Sequence, residues 1–189
     1  MSLPQPPKPA KPVIGFFLKD THLIEDVASV VAERMGPIDM VSTWLPFNFT
    51  AYYGPEMGGP LFRRMLSFKT LIKQSALAEI KLMTNDIERA FSKNGKRLVN
   101  IDPGYLLNER FVLATGKNFT HRIYIGRGIY ADLSLIYQKG RFQKLPWTYP
   151  DYTEINMISF LEKVRNKYQA DLKQSSNVLS DKAFIKDAS

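Results

Sequence analysis

Cysteine is absent from the 189 residues, which excludes disulfides, thiolate metal sites and cysteine nucleophiles. No apolar run approaches the ~20 residues that a membrane span needs. Histidine occurs only as His22 and His121, never in an H-x-x-x-H or H-E-x-x-H pair, so a histidine-rich zinc site is not expected. No leader peptide is expected either. Met1 to Pro12 carries Lys8 and Lys11 with no apolar stretch before Val13, and its prolines break any helix there. Together these absences predict a cytoplasmic, membrane-free protein.

Phosphate-binding signatures are missing as well. A P-loop needs G-x-x-x-x-G-K-[ST], but Phe111 stands five residues before Gly116, and Asn118 follows Lys117. Gly126-Arg127-Gly128-Ile129-Tyr130-Ala131 fits G-x-G-x-x-A, yet the residues after it alternate with period 2. A dinucleotide turn must open a helix, so these glycines read as hairpin residues.

What is present describes a globular domain. Hydrophobic residues make up 44% of the chain, enough for a sizeable core. The net charge of +8 is uneven, because residues 61–122 hold twelve basic and five acidic side chains. A basic region of this kind suits an anionic partner, or simply a solvated surface.

Periodicity predicts a Pro/Lys tail over residues 1–12, one α+β domain over 13–172 and a frayed polar tail over 173–189. Val13–Leu18 reads as a strand. A helix follows, capped by Asp20 or Thr21, with Leu23, Val27, Val30, Val31 and Met35 on one face. Ile38–Phe49 reads as a second strand entering an aromatic loop. Leu61–Met65 reads as a helical turn, and Ser67–Lys73 as a strand. Ala76, Ile80, Met83, Ile87 and Phe91 mark a second helix. Arg97–Ile101 reads as a strand closed by a turn at Asp102-Pro103-Gly104-Tyr105. Phe111–Thr115 is a strand or helical turn. His121–Ile125, Ile129–Tyr137 and Arg141–Lys144 form a meander. Asp151 and Glu154 suit a capping box for a third helix through Leu172. The fold expected is α+β: a mostly antiparallel sheet, with a β-α-β-β-α-β core, a C-terminal meander and about three main helices.

The hairpin carries the most informative constellation. If Ile125 pairs with Ile129, Tyr124 opposes Tyr130 and Arg122 opposes Asp132. One face then holds Arg122, Tyr124, Tyr130, Asp132 and Ser134. The other, with His121, Ile123, Ile125, Ile129, Ala131, Leu133 and Leu135, is expected to be core. The polar face suits an anionic ligand, with rings for stacking and a guanidinium for phosphate. It equally suits a solvated face with a cross-strand ion pair. His121 is a satisfied core residue or, at a strand edge, a general base. Asp102 closes a turn or serves chemistry. Trp147 lines a groove or caps the core. A magnesium site drawing on Asp102, Asp132, Glu79 or Glu88 is possible, but no spacing requires it.

Pro46-Phe47-Asn48-Phe49-Thr50, Asn100-Ile101-Asp102-Pro103-Gly104-Tyr105, His121-Arg122-Ile123-Tyr124 and Pro146-Trp147-Thr148-Tyr149-Pro150-Asp151-Tyr152 resemble the prokaryotic domain-of-unknown-function family numbered 4416 over residues 12–172. That resemblance implies no activity. Some members carry a GTP-binding label, but this chain has neither a P-loop nor an N-K-x-D motif.

Three functions follow as expectations. The first is binding of a phosphate-bearing ligand, nucleotide or RNA, through Lys117, Arg122, Tyr124, Tyr130 and Trp147. The second is a hydrolase or transferase acting on a phosphorylated metabolite, with His121 as base and Asp102 or Asp132 as partner. The third is a scaffold whose aromatic loops form an interface. No cofactor or oligomeric state is indicated.

Overall fold

The computed structural model describes residues 1–47 and 54–186, with side chains through residue 174. The strands are β1 (Lys11–Leu18), β2 (Ile38–Val41), β3 (Leu45–Phe47), β4 (Leu61–Phe68), β5 (Ser92–Lys93), β6 (Lys96–Arg97), β7 (Val99–Leu106), β8 (Arg110–Thr115), β9 (Arg122–Gly126), β10 (Ile129–Gln138) and β11 (Arg141–Lys144). The helices are α1 (Leu23–Met35), α2 (Gly54–Met57), α3 (Leu77–Ala90) and α4 (Ile155–Lys186). The fold is α+β. A nine-stranded antiparallel sheet has the order β11-β10-β8-β7-β1-β4-β2, with β3 beside β4 and β9 beside β10. β5 and β6 form a separate ribbon. No described helix is long and apolar enough to cross a membrane.

Each surface of the sheet has its own core. Ile14, Phe16 and Leu18 alternate along β1 and meet Val27 and Val31 of α1 and Ile80 and Ile87 of α3. Val13, on the opposite phase of β1, belongs to a second cluster with Phe111, Tyr152 and Leu161, Val164 and Tyr168 of α4. Burying each such side chain contributes about 1.5–3 kcal/mol. Lys11 is fully buried, with ion pairs to Asp39 and, at 2.7 Å, to Asp171, so α4 is also held by charge.

Several local expectations are corrected. Leu61–Met65 is not a helical turn but the first half of β4, which ends at Phe68. Ile38–Phe49 contains two short strands rather than one, and the last part of the aromatic loop lies outside the described residues. Asp151 does not cap α4; it is buried in an ion pair with Arg63. Asp102-Pro103-Gly104-Tyr105 is not a turn. It runs extended through β7, pairing Asp102 with Gly15 and Pro103 with Ile14. Gly104 is required by close approach, since a Cβ there would lie 2.5 Å from the Val112 carbonyl oxygen.

That stretch also shows where the sheet divides. β7 joins β8 only through Gly104–Leu113, Tyr105–Val112 and Leu106–Phe111. Before Gly104, β7 pairs only with β1; beyond Leu113, β8 pairs only with β10. The two strands splay. Backbone groups on the exposed edge of β7 need other partners. The Ile101 N–H donates to Glu88 Oε1 at 2.6 Å, and its carbonyl accepts from Lys81 Nζ at 2.8 Å. Pro103, two residues on along the same edge, has no N–H to satisfy.

Candidate functional site

The split forms a cleft of about 620 Å³. Asn100 and Asp102 of β7 line one wall; Leu113 to Lys117 line the other. Lys81, Asn85 and Glu88 enter from α3, where their i, i+4, i+7 spacing places them on one stripe. Phe17, Phe47, Arg63, Tyr149, Asp151 and Tyr152 complete the lining at one end, and Arg97, Arg122 and Asp132 flank it. Directly opposed residues share a sheet face. The pairings Phe17–Arg63, Phe17–Asn100, Gly15–Asp102, Gly104–Leu113 and Leu113–Asp132 therefore turn Phe17, Arg63, Asn100, Asp102, Leu113 and Asp132 toward one side.

Most of the cleft's charges hold one another. Arg97 makes a two-pronged pair with Glu56, with Nε–Oε1 at 2.7 Å and Nη2–Oε2 at 2.8 Å, and donates from Nη1 to Glu88 at 2.9 Å and to Asn100 Oδ1 at 2.8 Å. The Arg97 guanidinium, first of all, holds Glu56 below the usual carboxylate range, and Glu56 in turn raises the pKa of Arg97. Arg63 pairs with Asp151 and lies over the Phe17 ring at 3.9 Å and the Tyr152 ring at 4.5 Å. Arg122 donates from Nε to Asp132 at 3.0 Å, from Nη1 to the Lys117 carbonyl at 3.1 Å and from Nη2 to the Tyr149 hydroxyl at 2.8 Å.

Two polar groups differ from these. Asn100 is buried, and its Nδ2 has no hydrogen-bond partner among the described residues. An unmade bond of this kind costs about 1–3 kcal/mol. Asp102 has no hydrogen bond among the described residues; its nearest charge is Lys81, 3.8 Å away, and 27% of its side chain is exposed. An unused donor and an unused acceptor thus stand two residues apart on one strand, about 7 Å along it.

Of the residues singled out by sequence, Asp102, Lys117, Arg122 and Asp132 line the cleft. His121 does not. It stands behind Asp132, with Nε2 at 3.1 Å from Oδ2, stacked on Trp147 with ring centroids 4.9 Å apart. Trp147 also lies outside the lining, where its Nε1 donates to the Leu133 carbonyl at 2.8 Å. Tyr124 and Tyr130 pack together on the hairpin with centroids 5.4 Å apart, away from the cleft. The expected register holds: Tyr124 opposes Tyr130, and Arg122 opposes Asp132. The expected burial holds in part: Ile129 and Leu135 are in the core, with Ile125, Ala131 and Leu133 packed against it. Ile123 is 68% exposed, whereas Asp132 and Ser134 are buried. β9 is an edge strand that pairs with β10 alone, which leaves Ile123 toward solvent. The 145–152 loop instead closes over the polar side, where Thr148 Oγ1 donates to the Ser134 carbonyl at 2.6 Å.

Arg63, Lys81, Arg97 and Asn100 were not anticipated. Lys81 and Glu88 had a detectable signal, since each follows a residue of the apolar stripe, Ile80 and Ile87. A charged pair at i, i+7 beside such a stripe sits at the border of the buried face, within reach of the sheet it covers. Asn100 had none. As for a metal, Glu79 is exposed and bonded to Arg127, apart from Glu88, and no three His, Asp or Glu residues among those described converge on one point.

A family model for a domain of unknown function, DUF4416, matches residues 8–168. No curated protein and no solved structure matches. The chain belongs to the DUF4416 family.

Proposed function

We propose that this DUF4416 protein binds a phosphate-bearing small molecule of nucleotide size in the cleft between β7 and β8. The observation that carries the reading is the pair of unsatisfied groups on β7. Among the described residues, Asn100 Nδ2 has no acceptor and the Asp102 carboxylate accepts no hydrogen bond. A ligand that supplies both relieves a buried donor and a poorly paired carboxylate at once. Sugar hydroxyls and nucleobase edges carry such groups. The cleft's volume of about 620 Å³ falls within the ~300–1,000 Å³ typical of small-molecule sites, which favours a nucleotide over an RNA chain. Lys117 and Gly116, at the open end of β8, suit the phosphate, with Arg122 bracing that wall.

A panel of nucleoside monophosphates and diphosphates and of sugar phosphates, titrated calorimetrically, tests this. One class should bind. Asn100→Leu should weaken it about tenfold or more. Absence of binding across the panel at low salt, or unchanged affinity in both Asn100→Leu and Lys117→Ala, refutes the reading.

A hydrolase or transferase reading retains one support, the partly exposed Asp102 carboxylate within the cleft. In that case Asp102, not His121, is the base, and His121 positions Asp132. Asp102→Asn should then retain ligand and lose turnover.

A further inference from the structure

Beside α2 lies a second depression, an open groove of about 670 Å³. It shares Arg97 with the cleft but is electrostatically different. Lys19, Lys93 and Lys96 line it, and none has a carboxylate partner among the described residues. Its two acids are engaged elsewhere. Glu56 is held by both prongs of Arg97, and Asp20 Oδ1 accepts the His22 N–H at 3.0 Å.

The β5–β6 ribbon adds an independent observation. Its register sets Lys93 directly opposite Lys96. The turn between them, Asn94 with φ 53° and Gly95 with φ 72°, is the tight left-handed type that holds closing residues face to face. Like charges directly opposed across a ribbon are destabilising. Lys19 adds a third ammonium group to the same groove, and of the two lining carboxylates Glu56 is neutralised by Arg97, which leaves Asp20 to balance one charge of three. An anion from outside offsets the rest.

We propose that this groove is a second binding site, for the diphosphate group of an organic di- or triphosphate. A monophosphate, at about −1.5 to −2, presents one anionic group, whereas a diphosphate presents two, one for the opposed Lys93 and Lys96 and one for Lys19. Leu23, Met57 and the partly exposed Leu98 give the groove an apolar floor on which the organic part rests.

The test uses inorganic pyrophosphate on the full chain, followed by calorimetry and by the thermal midpoint. Pyrophosphate should bind and raise the midpoint, and both effects should weaken as chloride rises from about 50 to about 200 mM. Lys93→Ala/Lys96→Ala should reduce affinity about tenfold or more without lowering the midpoint of the unliganded protein. Lys117→Ala, on the cleft wall that the groove does not share, should leave pyrophosphate binding unchanged, which separates this site from the cleft. ADP binding more tightly than pyrophosphate in the Lys117→Ala background assigns the apolar floor to the organic part. No response to pyrophosphate at low salt overturns the proposal. So does protection matched by chloride at equal ionic strength, or binding that survives in the double variant.

Discussion

The cleft and the groove are almost equal in size, about 620 and about 670 Å³, and Arg97 lines both. They treat charge in opposite ways. In the cleft, five cationic side chains meet four carboxylates, and burial requires that they be matched. In the open groove, Lys93 and Lys96 stand opposed with no carboxylate paired to either among the described residues, which water tolerates at small cost. The cleft's polar groups are therefore part of what holds the domain together. The groove's are dispensable to folding and available to a ligand.

The sharpest way to break this contrast is Glu88→Ala. Glu88 accepts from the Ile101 N–H and from Arg97, and Lys81 lies 3.9 Å away, so removal strands buried donors. The expected loss is about 3–5 kcal/mol in urea unfolding, whereas Lys93→Ala should cost next to nothing. A small loss for Glu88→Ala would remove the distinction between the two regions.

Gly104→Ala comes next. The new methyl must push against the Val112 carbonyl at the point where β7 and β8 part. A loss of about 1–3 kcal/mol is expected, read in the same unfolding assay. Lys96→Glu should act in the reverse direction. It converts a like-charged cross-strand pair into an attractive one, and a gain of roughly 0.2–1 kcal/mol is expected at low salt, fading as salt rises.

The smallest effect concerns the wall the two cavities share. Glu56 titrates below its ordinary 4.5 because Arg97 bonds its charged form. A carboxylate whose pKa is lowered by folding contributes stability above its unfolded value and loses it as pH falls through the folded one. Stability should therefore drop on acidification below pH 4.5, and less steeply in Glu56→Gln. Identical acid limbs for the two proteins would show the pair to be energetically silent.

Sequence reasoning reached the parts of this molecule governed by neighbours along the chain. The β9–β10 register follows from alternation on either side of Gly126-Arg127-Gly128, and both amphipathic helices follow from their stripes. It failed where distant segments decide. Asp102-Pro103-Gly104-Tyr105 has the composition of a turn, and only β1 on one side and the absent β8 rungs on the other make it a strand. Asp151 resembles a helix cap until Arg63, far earlier in the chain, claims it. The cleft was half anticipated for the same reason. Asp102, Lys117, Arg122 and Asp132 stand out locally, whereas Arg63, Lys81, Arg97 and Asn100 are united only by folding.

The narrow join between β7 and β8 has a mechanical consequence. Three residue pairs tie one half of the sheet to the other at this point. A molecule lodged between Asp102 and Lys117 would stand where the missing rungs belong, bridging the halves as an additional cross-tie. Ligand occupancy and the rigidity of the seam would then be one quantity. Amide exchange at Ala114 and Thr115, on the end of β8 that pairs with β10 alone, would report both.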